Sequence, residues 1–316
     1  LRVELSADAI NLFAVENLAG AMRVAPGSGP LVVAVATVHA ENDDLANAMK
    51  FEQVAGKTGV PTLRMRYPLD REGTIRYPGS GSGSRGVLES IFGGSSTRID
   101  YDGHKVKISD TQGVLLYADI EVQVPRQRLS DATFRNHVGP LEGHDVEGKI
   151  RFDTSSGDVS LARVRGDIRA DTGSGDVKAG DVEGSFVCDT GSGNCELAGF
   201  RGETVSCDVG SGDVTIRSAV AKLVDVDTGS GDVHVIDGDL EAFQADTGSG
   251  DVTLRLAPDA SFEALASQGS GDINMGFKDA QAIVRHKEVI GYRRGDARLK
   301  IDVDTGSGDL TIEPGA

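Results

Sequence analysis

Asp171-Thr172-Gly173-Ser174-Gly175-Asp176 is a hexapeptide that returns, with small changes, throughout the second half of the chain. Copies start at Asp153, Asp171, Asp189, Asp208, Asp227, Asp246, Ser267 and Asp304, spaced by 18, 18, 19, 19, 19, 21 and 37 residues. A fixed period of this kind is the mark of a repeat architecture. The last interval is about twice the others, so a degenerate copy without the signature is expected between Gly276 and Arg298, with its remnant around Arg285–Glu288.

The residues around each hexapeptide alternate. Val224 and Val226 precede one copy and Val233 and Val235 follow it, with Asp225 and His234 between them. Period-two alternation with β-branched residues is the strand signature. A second apolar position recurs in the connections at Val146, Val164, Val182, Phe200, Val220 and Leu240. About 18–19 residues per repeat is one coil of a solenoid, which cannot bury its apolar face alone but shares a core with its neighbours. The expected fold is all-β: a parallel β-solenoid, or single-stranded β-helix, over residues 129–316, with nine coils from Lys149 onward, the degenerate one included, and an extra coil suggested by the similar rhythm of His137–Val146. Residues 1–128 read as a β-rich N-terminal cap with irregular coils of its own. It carries one short helix over Asn42–Val54, a hairpin across Asp102-Gly103 and a flexible Gly/Ser loop over 70–96.

Composition narrows the function. The chain has 316 residues, no Trp, 42 Gly and a net charge of -17. Such acidity argues against nucleic-acid or anionic-membrane binding, which need a basic footprint. No apolar run of about 18 residues exists for a transmembrane helix, and no leader is visible ahead of Leu1. Cys188, Cys195 and Cys207 do not make a disulfide framework. Cys188 and Cys207 share one inward position in adjacent coils and are expected as buried thiols.

The tandem Asp-Thr-Gly-Ser-Gly-Asp-Val units, the run Phe13-Ala14-Val15-Glu16-Asn17-Leu18-Ala19-Gly20 and Val122-Gln123-Val124-Pro125 resemble the bacterial "putative adhesin" family of β-strand-repeat, DUF4097-like proteins. The resemblance implies a β-solenoid in an extracytoplasmic setting (cell surface, periplasmic or secreted), with no catalytic residues to carry over.

Two acidic columns are the sharpest chemical feature. Asp171, Asp208, Asp227 and Asp246 open their hexapeptides, and Asp176, Asp213, Asp232 and Asp251 close them. Calcium, which takes 6–8 oxygens, is the functional reading of these eight. Hydrogen bonding to turn N–H groups is the structural one. The calcium-binding nonapeptide repeat occurs twice per coil with a different glycine spacing, so the structural reading is preferred and no cofactor is expected. The second glycine of each copy, including Gly175, Gly193, Gly212, Gly231, Gly250, Gly271 and Gly308, is expected at positive φ as a structural turn residue. The threonine column, interrupted by Val209 and Gln268, makes a poor ice-binding array. Gly81-Ser82-Gly83-Ser84-Arg85-Gly86 matches a dinucleotide fingerprint by chance, lacking the βαβ context.

The function expected is a non-catalytic structural or adhesive protein of the bacterial surface or envelope, with an unidentified surface ligand or partner. The alternatives are a glycan-active solenoid lyase or hydrolase and a calcium-binding repeat protein. Leu310–Ile312 is expected as an open solenoid edge through which copies self-associate.

Overall fold

In the computed structural model, the described residues are 1–5, 12–56, 59–79 and 96–315. Both the dinucleotide-like match and residues 80–95 of the Gly/Ser stretch lie outside them. The chain divides into two units, Leu1–Asp176 and Val177–Ala316. The repeated coils of each are strands stacked in parallel, as a β-solenoid requires.

In the first unit, Leu129–Val138 pairs in parallel with Glu147–Thr154, which pairs in parallel with Val159–Thr172. Stacking extends N-terminally past residue 129. Phe13–Ala19 lies parallel to Leu129–Val138, and Met22–Pro26 lies parallel to Leu141–His144. These two strands therefore form a coil of their own. Met22–Pro26 also pairs with Val114–Val124, so one ladder runs across the division expected at 128/129. The rest of residues 1–128 is mixed β. Val32–Ala40 lies antiparallel to Val114–Val124, and a hairpin, Ser96–Tyr101 with His104–Ser109, turns at Asp102 and Gly103. Both turn residues have positive φ, 52° and 82°, as a two-residue type I′ loop requires. The helix is shorter than expected, spanning Asp43–Ala48 with Asn42 accepting from the Leu45 N–H at 3.0 Å. It stops there because Lys50–Ala55 pairs antiparallel with Pro61–Arg66. Thr74–Arg76, inside the expected loop, is a strand.

Buried Asn17 and Asn136 join two stacked strands of the first unit. Asn17 Nδ2 donates to Asn136 Oδ1 at 3.1 Å and to the Ala118 carbonyl at 2.8 Å, and Asn136 Nδ2 donates to the Gly20 carbonyl at 2.7 Å. Tyr67 donates its hydroxyl to Asn17 Oδ1 at 2.9 Å. Buried amides of this kind are tolerated only when fully bonded.

In the second unit the coils follow one another through Val177–Thr190, Cys195–Val209, Val220–Thr228 and Asp239–Thr247. Then sequence order and spatial order part. Asp239–Thr247 pairs next with Leu299–Thr305, and Leu299–Thr305 pairs on its other side with Phe262–Gln268. Leu310–Pro314 is likewise held between Val252–Leu256 and Ile273–Met275. The coil at 299–314 is thus inserted between two coils that precede it in sequence. This corrects two expectations. Leu310–Ile312 is not an open edge, because it is paired on both sides. Residues 281–294 are not a degenerate coil but an antiparallel hairpin, Gln281–Arg285 with Glu288–Arg294, turning at His286 and Lys287. Glu288–Arg294 lies antiparallel on Phe262–Leu265 and covers that edge.

The core is narrow. Phe186, Val205, Val224, Phe243, Val252, Leu254, Val303, Leu310 and Ile312 all have zero exposure. The connection column shifts at one coil. Ala221, not Val220, lies in register between Gly202 and Leu240, which leaves Val220 exposed.

Candidate functional site

The hexapeptide begins as a strand and keeps its alternation into the turn. Asp227 therefore points out and Thr228 in. Thr154, Thr172, Thr190, Thr228, Thr247 and Thr305 are 1–2% exposed, and Val209 fills the same buried column. The threonine column is thus not an outward array. Its hydroxyls hold the turns together. Gly250 N–H donates to Thr247 Oγ1 at 3.0 Å and Gly308 N–H to Thr305 Oγ1 at 2.8 Å. Thr172 Oγ1 donates to the Gly157 carbonyl at 3.0 Å and Thr228 Oγ1 to the Gly212 carbonyl at 3.3 Å.

The closing aspartates form a ladder. Asp232 N–H donates to Asp213 Oδ1 at 3.0 Å, Asp251 N–H to Asp232 Oδ1 at 2.9 Å and Asp309 N–H to Asp251 Oδ1 at 2.9 Å. Asp272 N–H continues it to Asp309 Oδ1 at 2.8 Å, across the inserted coil. Asn194, the one amide in the column, accepts from Asp213 N–H at 2.9 Å in the same way. In the first unit Asp176 N–H donates to Asp158 Oδ1 at 3.0 Å. Each closing carboxylate therefore takes over a backbone ladder position at the turn, where the strand ladder has run out. A bond to a carboxylate is stronger than a neutral one.

The opening aspartates differ between units. In the first, Arg135 bonds Asp153 through Nε and Nη2 at 3.0 and 2.8 Å, and Arg151 pairs with Asp171. In the second, Asp208, Asp227, Asp246 and Asp304 stack directly in register on the outward face, with Asp225 and Asp302 beside them. Of the calcium candidates, the structure places Asp208, Asp227 and Asp246 on this face and Asp213, Asp232 and Asp251 in the closing ladder. Asp171 and Asp176 lie in the first unit. Among the described residues, no three or more His, Cys, Asp or Glu side chains are grouped so as to hold a metal ion.

The turn glycines are needed for a reason other than the one expected. Gly175, Gly212, Gly231, Gly250, Gly271 and Gly308 lie outside the left-handed region. What excludes a side chain is the neighbouring coil. A Cβ on Gly212 would lie 2.6 Å from the Gly193 carbonyl carbon, and closer still to its oxygen. A left-handed residue recurs at another turn of the coil, at Asp145 and Arg163 in the first unit and at Asp181, Gly199, Ser218 and Asp237 in the second, with φ from 52° to 71°.

A concave feature interrupts the regularity. A cleft of about 690 Å³ opens in the second unit beside the inserted coil. Leu240, Leu256 and Leu299 supply its apolar surface, and Asp239, Asp259, Asp296 and Arg298 its charges. None of these carboxylates belongs to the repeated columns, so the hexapeptide could not reveal the cleft.

Two further polar clusters lie outside the hexapeptides. Cys188 and Cys207 are register partners, as expected, and Cys195 joins them, its sulfur 3.6 Å from that of Cys207. All three thiols are free and buried. In the first unit Glu16 accepts from Arg64 Nε at 2.7 Å and lies 3.1 Å from His137 Nε2, while Arg64 also reaches Asp102 at 2.9 Å. Burial pushes the Glu16 carboxyl up, but the hydrogen bonds and charges of His137 and Arg64 outweigh it and hold it at about 2. This knot ties three stacked elements together rather than facing a cavity.

The family model described as Toastrack DUF4097 matches residues 114–313. No curated protein matches the chain. Among solved structures, a "putative cell adhesion protein" from Clostridium sporogenes is 11% identical, with 99% of this chain and 98% of that one covered and a TM-score of 0.28. A "putative lipid binding protein" from Parabacteroides distasonis is 12% identical, with 99% and 96% covered and a TM-score of 0.43.

Proposed function

Because the chain belongs to the Toastrack DUF4097 family, we propose that it is a non-catalytic structural or adhesive β-solenoid protein of the bacterial cell surface or envelope. The observation that carries this reading is the use made of the repeated polar residues. Buried threonine hydroxyls close the turns, and closing carboxylates bond the next coil. Residues repeated in every coil and engaged in stacking serve the scaffold, whereas a catalytic constellation occurs once. The opening aspartates then give the second unit an acidic outward face that keeps it hydrated and disfavours anionic partners. No cofactor belongs to this reading, and calcium has no part in it. The test is external protease accessibility on intact source cells. Cleavage of the protein without lysis is the expected result, and a protein found only in the cytosol would overturn the envelope assignment.

The cleft favours a second reading, a glycan-active solenoid enzyme using Asp239, Asp259 and Asp296, with Arg298 to hold an acidic sugar. Incubation with acidic and neutral oligosaccharides distinguishes the two. Turnover that Asp259→Asn and Asp296→Asn abolish would replace the first reading, and its absence across both classes would support the scaffold.

A further inference from the structure

The coil at Leu299–Pro314 is an insert. On one side Ala242–Thr247 aligns with Lys300–Thr305, and on the other Phe262–Gln268 aligns with Leu299–Thr305, both parallel. Its inward side chains Leu299, Ile301, Val303, Leu310 and Ile312 are all at most 6% exposed. Withdrawing it would uncover Phe243 and Leu254 on one wall and Phe262 and Ala264 on the other, all now fully buried. The slot left behind has two ready-made walls in matching register. It fits residues 299–314, from this chain or from another copy of it.

Two features make the copy a competitor. The insert comes last in the chain: both walls, 239–256 and 262–275, precede residues 299–314 and can stand before that segment reaches them. The hinge that leads into the insert is also strained. Ala297 sits at φ 56° and is buried, two residues before Leu299. A non-glycine residue in that region is released from strain when the hinge straightens.

We propose that this chain forms a reciprocal dimer in which each copy inserts its residues 299–314 into the slot between 239–256 and 262–275 of the other. The contact needs no exposed edge and no lateral approach of the acidic faces. It is two-fold and self-limiting, because each slot receives one segment and each segment fills one slot.

The test compares two pairs of introduced cysteines in the full chain. Gln244→Cys with Asp302→Cys spans the insert, and Ser206→Cys with Asp225→Cys spans an ordinary rung. Each protein is unfolded, refolded at low and at high concentration, treated with a short bismaleimide and run on a denaturing gel. The native thiols are buried. The first pair should give covalent dimers whose share rises with refolding concentration, while the second stays within one chain at every concentration. Adding Ala297→Gly to the first pair should lower the dimerisation constant about thirtyfold, the equivalent of roughly 1 kcal/mol of relieved strain at each of the two hinges. If the cysteine variants do not fold, heavy and light wild-type chains refolded together and weighed intact by native mass spectrometry give the same reading through mixed dimers. Cross-links that stay within one chain at all concentrations, dimers that form equally through both pairs, or an absence of mixed dimers would overturn the proposal.

Discussion

Replacing Gly212 by alanine adds one methyl group where two coils meet. Its Cβ would stand 2.6 Å from the Gly193 carbonyl carbon and 3.2 Å from Asn194 Oδ1. Carbon–carbon contacts settle at roughly 3.5–4.0 Å, so the coils must part locally by about 0.9 Å or more. The obstacle is backbone and cannot rotate away. Strain of this kind costs about 1–3 kcal/mol. Parting the coils also stretches the bond from Asp213 N–H to Asn194 Oδ1, now 2.9 Å, and the one from Gly210 N–H to the Thr190 carbonyl, also 2.9 Å. Each contributes roughly 1 kcal/mol. The loss should come to about 3 kcal/mol, or about 6–12 °C in melting temperature for a unit of this size. Thermal unfolding followed by circular dichroism measures it, with Gly180→Ala as the control. No atom lies within 4 Å of a Cβ at Gly180, whose φ is outside the left-handed region, so that variant should be neutral or slightly stabilised. Equal shifts for both variants, or a change at Gly212 below about 1 °C, would refute the close-approach account of the turn glycines.

Other outcomes follow from the same geometry. Asp232→Ala should lose roughly 1 kcal/mol by removing the acceptor for Asp251 N–H, while Asp232→Asn should be nearly neutral, because Asn194 already does this work; denaturant midpoints check both. The first unit should weaken in acid. Glu16 titrates at about 2 in the fold against an ordinary 4.5, so its stabilisation is complete above about 4.5 and is lost as pH falls toward 2. The loss is on the order of 3 kcal/mol, and Glu16→Gln should flatten that part of the stability profile. Asn136→Leu should cost about 2 kcal/mol or more, since it leaves Asn17 Nδ2 and the Gly20 carbonyl without that partner in a dry core; urea unfolding reads it directly.

The sequence carried the coil because its period, its alternation and its punctuating glycines all agree. It carried the closing aspartates as acceptors of turn N–H groups, although not that each one bonds the following coil. It could not carry spatial order. Every hexapeptide presents the same edge, so nothing in Asp304–Asp309 says that it lies between Asp246 and Ser267. That is decided by the hairpin at 281–294 and by the hinges around it. Glycine type alone does not reveal φ: the hexapeptide glycines are required by the approach of the next coil, while left-handed corners fall on Asp181, Ser218 and Asp237. Asn17 and Asn136 lie outside the repeat and have no pattern to announce them. The cleft belongs to the inserted coil, and was hidden for the same reason as the insertion.

The central claim is that the hexapeptide columns hold the stack together. Amide hydrogen exchange at Asp213, Asp232, Asp251 and Asp309 tests it most directly. These amides sit in exposed turns, yet each is bonded to the carboxylate or amide of the preceding rung. They should exchange as slowly as the adjoining strand amides, and equally in chelator and in calcium. Exchange at the rate of an open loop, or protection that appears only when calcium is added, would contradict the account.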